Sequence, residues 1–137
     1  MSEERQLKVA PTGLKLVFKT SYDKANRSSV TSARGIGMGE GLRILGEVRG
    51  IFGCPVIKAV HEVSYCPAAA EVVDVTQIPA FLSRQTDPLL AAGNTGKPIN
   101  VKKDSFWPHG KFTMLPRNAS AGKTQIIFCE RGTYCGL

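Results

Sequence analysis

The sequence predicts an α/β fold built on a parallel sheet, and three observations predict it. Five short apolar runs rich in β-branched residues recur, at 14–18, 55–60, 72–78, 98–101 and 125–129. Most are nearly continuous rather than alternating, which is the pattern of strands covered on both faces. Stretches with helical patterning separate them, giving the order β-α-β-α-β-α-β-α-β, the alternation of a parallel sheet with crossover helices. Periodicity fits an open doubly wound sheet and part of a (β/α)8 barrel equally. The polar clusters favour the barrel-type site, because each falls just after a strand, where barrel strands carry chemistry at their C-terminal ends.

Each element has its own reason. Residues 1–12 are charged and lack an apolar core segment, so they read as a flexible lead-in, not a signal peptide, to a domain over 13–137. Leu14, Leu16, Val17 and Phe18 make the first strand. The segment Gly35–Gly41 does not follow a strand directly and does not fit a dinucleotide fingerprint, so it reads as a glycine-rich lead into a helix. That helix, 37–50, carries Met38, Leu42, Leu45 and Val48 on one side and Glu40, Arg43, Glu47 and Arg49 on the other. Residues 64–71 are Ala-rich, with Ser64 as the expected N-cap. Residues 79–92 bring Phe81, Leu82, Leu89 and Leu90 into helical spacing, with Pro88 expected to interrupt or restart the helix. Residues 111–122 have the poorest helical pattern, since Pro116 lies in their middle.

Composition narrows the function. At 137 residues, with 42% hydrophobic and 21% charged residues, the chain is one globular domain. No apolar run approaches the ~20 residues of a membrane span, and a cytoplasmic location is expected. The four cysteines include no Cys-x-x-Cys pair and read as reduced thiols, and His61 and His109 lack metal-ligand spacing. The net charge of +7 does not form a run or a helical stripe. The cations gather after strands: Lys19, Lys24 and Arg27, then Lys102 and Lys103, then Arg131. That distribution suits an anionic metabolite rather than nucleic acid.

The segment VFKTSYDKANRSS (17–29) is the densest of these clusters: two lysines, an arginine, an asparagine and several hydroxyls follow an apolar strand. Such cations and hydrogen-bond donors at a strand end suit a phosphorylated, multiply anionic small molecule. Together with QIPAFLSRQTD (77–87), INVKK (99–103) and CERG (129–132), it resembles the 3-deoxy-D-manno-octulosonate 8-phosphate synthase (2-dehydro-3-deoxyphosphooctonate aldolase) family. The resemblance implies a TIM barrel and a transferase that condenses phosphoenolpyruvate with D-arabinose 5-phosphate in lipopolysaccharide inner-core sugar biosynthesis. It implies that Lys19, Lys24, Gln77, Ala80, Lys102 and Arg131 bind phosphoenolpyruvate. Asn26, Arg27 and Ser28 would hold the sugar phosphate, with Arg84 reaching the corresponding site of a neighbouring subunit, so that a homo-oligomer is expected. Family members use a divalent metal or do without one, and no cofactor or metal site is expected within this chain.

The chain also departs from that family. It covers about half the length of a barrel of about 250 residues. Lys58-Ala59-Val60-His61-Glu62 stands where the family reads Thr-Asp-Val-His-Glu, so a carboxylate close to the reacting centre is replaced by Ala59. His61, a lone histidine at a strand end, suits a structural role or an acid/base role. Asp104-Ser105 replaces a Pro-Gln. No complete acid/base set can be named. The second expectation is therefore a catalytically incomplete, truncated paralogue that binds phosphorylated ligands or full-length subunits. A condensing enzyme for another sugar phosphate ranks behind it.

Overall fold

The computed structural model describes residues 4, 8–24, 29–106, 125–132 and 134. After a 3-10 turn at Ala10–Thr12, five strands alternate with helices: β1 (Phe18–Lys19), α1 (Met38–Phe52), β2 (Val56–Ala59), α2 (Tyr65–Val72), β3 (Val75–Ile78), α3 (Thr86–Asn94), β4 (Ile99–Lys102) and β5 (Ile126–Cys129). All four strand pairings are parallel and the spatial order is β1-β2-β3-β4-β5, the sequence order itself. A sequential parallel sheet with helices packed along one face is an arc of a (β/α)8 barrel. Among the described residues the sheet is not closed.

The side-chain period of two divides each strand between the layers. Phe18, Val56, Ile78, Ile99, Val101 and Ile126 pack with Leu42 and Leu45 of α1, Cys66 and Ala69 of α2, and Leu89 and Ala92 of α3 in one core. Their alternates, among them Lys19, Ala59, Gln77, Asn100, Lys102, Ile127 and Cys129, face the inner side of the arc. At the N-terminal end of the sheet, Asp74 ties three elements together: one carboxylate oxygen accepts the Val56 N–H at 2.9 Å and the other pairs with Arg49 at 2.7 Å.

Several expected boundaries shift, each for a physical reason. Residues 14–17 are not strand. Phe18 pairs with Val56, so residues before it would lie opposite Pro55 and the turn that follows α1, where no extended partner exists; Leu14 and Val17 are exposed. Val72 closes α2 rather than opening β3. Ser64 is the N-cap residue of α2 by position, but its backbone is already helical and its side chain makes no capping bond; the preceding turn bonds Tyr65 N–H to Glu62 O and Cys66 N–H to Val63 O instead. The 79–92 helix is two pieces, a 3-10 turn at Ala80–Leu82 and then α3. Pro88 restarts it, sitting in the first turn of α3 where its missing N–H is not needed. The expected helix at 111–122 lies outside the described residues.

Leu45 is fully buried where α1 meets the sheet. Leu45→Ala should therefore lower the unfolding free energy by about 2–5 kcal/mol, read from the midpoint of a urea melt.

Candidate functional site

The strand C-terminal ends gather the chemistry on one side of the sheet. A cavity of about 440 Å³ lies there, lined by His61 beyond β2, Pro79, Ala80, Phe81 and Leu82 beyond β3, Lys102 at the end of β4, and Arg131 beyond β5. Among the described residues the lining includes no carboxylate. Two cations thus face a partly apolar wall without an internal counter-ion, an arrangement suited to a small anion.

Its cations are held by different means. Lys102 closes β4 opposite Cys129. Arg131 rides on a turn built by Glu130, whose carboxylate accepts the N–H groups of Arg131 at 3.0 Å and Gly132 at 2.8 Å. That turn is clamped from below by Lys103. Its side chain is fully buried, and its amine donates to Gly132 O at 2.8 Å and lies 3.4 Å from Glu130. The two adjacent lysines therefore divide their roles: Lys102 faces the cavity and Lys103 fixes the turn that presents Arg131. Lys19, on the inner face of β1, has its pKa lowered by burial and by the charge of Lys102, with Cys129 acting in the opposite sense.

Deeper on the inner face, Ala59, Gln77 and Asn100 stand side by side in register across β2, β3 and β4. The carboxamide oxygens of Gln77 and Asn100 are buried and accept no hydrogen bond among the described residues. Asn100 is absent from the sequence-based site, although it lies two residues before Lys102 on the same face and the period of two points to it. His61 has a buried Nδ1 without a partner among the described residues, and burial followed by the charge of Lys58 pushes its pKa down, favouring the neutral imidazole.

The remaining expected site residues fall elsewhere. Lys24 is exposed outside the cavity lining, its N–H bonded to Arg34 O at 2.6 Å. Arg84 lies in the turn before α3, with its side chain 59% exposed and 4.0 Å from Asp104. Asn26, Arg27 and Ser28 lie outside the described residues.

Comparison with known proteins accords with this geometry. The sequence profile described as the DAHP synthetase I family matches residues 1–137. The chain belongs to that family. A 2-dehydro-3-deoxyphosphooctonate aldolase of Pseudomonas putida (strain W619) is 52% identical over 125 residues, covering 90% of this chain and 45% of that protein. Its counterpart in Citrifermentans bemidjiense is 54% identical over 125 residues, covering 90% of this chain and 46% of the relative. That of Shewanella woodyi is 47% identical over 144 residues, covering 98% and 51%. The chain thus spans about half the length of the curated relatives it matches.

Among the described residues no group of three or more His, Cys, Asp or Glu side chains could hold a metal ion. No described helix is long and apolar enough to cross a membrane. Cys54, Cys66 and Cys129 are free thiols.

Lys58 is the feature the sequence conceals. It is fully buried, its amine lies 3.7 Å from the centroid of the Tyr22 ring, and it has no hydrogen-bond acceptor among the described residues. Burial, and then the charge of Lys19, lower its pKa to about 8, with Asp23 opposing. Because the folded value lies below the ordinary 10.5, the native state sheds this proton first. Stability therefore rises with pH between the two values, and the burial penalty is fully felt below the lower one. Lys58→Met should be more stable than the parent chain near neutral pH, with that advantage shrinking as pH rises through this window; urea melts across the window test it.

Proposed function

We propose that this chain acts in the aldol-type condensation of phosphoenolpyruvate with D-arabinose 5-phosphate, the reaction of lipopolysaccharide inner-core sugar synthesis. C3 of phosphoenolpyruvate bonds to the aldehyde carbon, water adds at C2, and the C2–O–phosphate linkage is lost as inorganic phosphate. The product is 3-deoxy-D-manno-octulosonate 8-phosphate. The carboxylate-free cavity between Lys102 and Arg131 carries this reading: a donor with both a phosphate and a carboxylate needs cations on more than one strand. Lys102, Arg131, Lys19 and Lys24 would neutralise those groups, while Gln77 and the backbone at Ala80 orient the donor. Asn26, Arg27 and Ser28 would hold the sugar phosphate, with Arg84 supplied by another copy of the chain in a homo-oligomer. Such a site works by holding two anions at short range in fixed orientation and stabilising charge as it develops. Nucleic acid and membrane have no part in this reading, and the setting is cytoplasmic.

One observation favours a second reading, binding of phosphorylated ligands or longer relatives without turnover. Ala59 places a methyl group beside Gln77 where the resembling family has an aspartate, which removes an electrostatic group from the inner face.

The deciding experiment is phosphate release from both substrates together, with and without added divalent metal. Release that requires both supports the condensation; substrate binding without release supports the second reading, and neither substrate binding nor release sinks the condensation and leaves only the binding of longer relatives. In the active case Arg131→Ala should lower kcat/KM for phosphoenolpyruvate about 100-fold, as expected for loss of a charged contact of about 3 kcal/mol. Ala59→Asp should raise kcat, measured in the same assay.

A further inference from the structure

The segment leaving β1 at the cavity end of the sheet is held by Tyr22. This residue is 1% exposed although it belongs to a loop. Its fit depends on two missing side chains. A Cβ at Gly41, in the first turn of α1, would stand 2.2 Å from Tyr22 Cβ, and a Cβ at Gly35 would stand 2.2 Å from Tyr22 O. Tyr22 O also accepts the Gly37 N–H at 3.2 Å. Above the ring lies the Lys58 amine. The Tyr22 hydroxyl has no partner among the described residues, so the flat ring and the main chain make the contact.

The next two residues are fixed by the same neighbours. Asp23 takes a two-pronged bond from Arg34, at 2.9 and 2.6 Å, and the Lys24 N–H bonds to Arg34 O. Arg34 is contiguous with Gly35, which Tyr22 covers. Gly35–Gly41, which in sequence suggests only a lead into a helix, is thus a socket for Tyr22, with Gly41 against its side chain and Gly35 and Gly37 against its main-chain carbonyl.

We propose that Tyr22 is a positioning residue: seated in the Gly35–Gly41 socket under Lys58, it fixes where the Lys24 amine stands relative to the cavity and thereby sets the affinity for an anionic ligand. The consequence for binding rests on the function proposed above; the positioning itself does not. A loop without such an anchor opens at little free-energy cost, and an amine on it loses entropy each time it captures an anion.

Two readouts on the full chain separate these claims. Amide hydrogen exchange reports the positioning. Tyr22→Leu should speed exchange at Lys24 and Gly37 by about tenfold or more while leaving Val101 in the sheet unchanged, and Tyr22→Phe should leave all three unchanged. Unchanged exchange at Lys24 in Tyr22→Leu overturns the proposal whatever the ligand data show. Equal acceleration at Val101 also overturns it, since Tyr22 would then support the whole domain. Should Tyr22→Leu not fold, Tyr22→Met keeps most of the apolar volume without the ring and carries the same expectation.

Calorimetric titration with phosphoenolpyruvate reports the consequence. Tyr22→Leu and Lys24→Ala should each weaken binding, and the double variant should be no weaker than Lys24→Ala alone. Losses that simply add overturn the link between Tyr22 and Lys24. A parent chain that binds no phosphoenolpyruvate refutes the proposed function and removes the affinity claim, while the exchange result still decides the positioning.

Discussion

In-register parallel pairing is the constraint from which the rest of this structure follows. Once Phe18 pairs with Val56, Ile57 with Val75, Thr76 with Ile99 and Ile99 with Ile126, every strand ends on the same side of the sheet. The period of two then sends Val56, Ile78, Ile99 and Val101 under the helices and leaves Ala59, Gln77, Asn100 and Lys102 on the inner face. A slip of one residue in any strand would exchange these sets, placing lysine and asparagine against the helices and isoleucine in the cavity. The apolar core and the cationic cavity are two outcomes of a single register.

The electrostatics divide along the same line. On the cavity side, the described lining sets Lys102 and Arg131 beside no carboxylate, which leaves their charge to a ligand. Several cations elsewhere are paired: Arg43 with Glu40 and Glu47 on the surface of α1, Arg49 with Asp74, Arg34 with Asp23, and Lys103 with Glu130. Lys58 belongs to neither group. It keeps a charge-bearing amine within the packed interior, softened by the electron-rich face of Tyr22 and by a lowered pKa. Near neutral pH the fold carries that cost, offset by the apolar contacts around it.

Much of this was legible in the sequence because it depends on local pattern. Continuous apolar runs gave the strands, and the placement of Lys102 and Arg131 just at or beyond strand ends gave two walls of the cavity. What depended on distant partners was not legible. The start of β1 is decided by Pro55, and the failure of Ser64 to cap α2 by the turn at Glu62–Ser64. The contrast between Lys102 and Lys103 needs the turn at Glu130–Gly132, and the burial of Lys58 needs Tyr22. A lysine inside an apolar run gives no sign that its end will be sealed. Asn100 is a different case: its position two residues before Lys102 contained the information.

The contact between Arg84 and Asp104 bears on how readily that arginine can be recruited. At 4.0 Å the pair is loose, with the guanidinium more than half exposed and the Asp104 side chain only 12% exposed. Asp104 is also held independently of Arg84, by a hydrogen bond from the Phe106 N–H at 3.2 Å. An incoming phosphate offers two charges and several acceptor oxygens against one carboxylate. Under the function proposed above, Arg84 would leave a loose resting partner whose place in the loop does not depend on it.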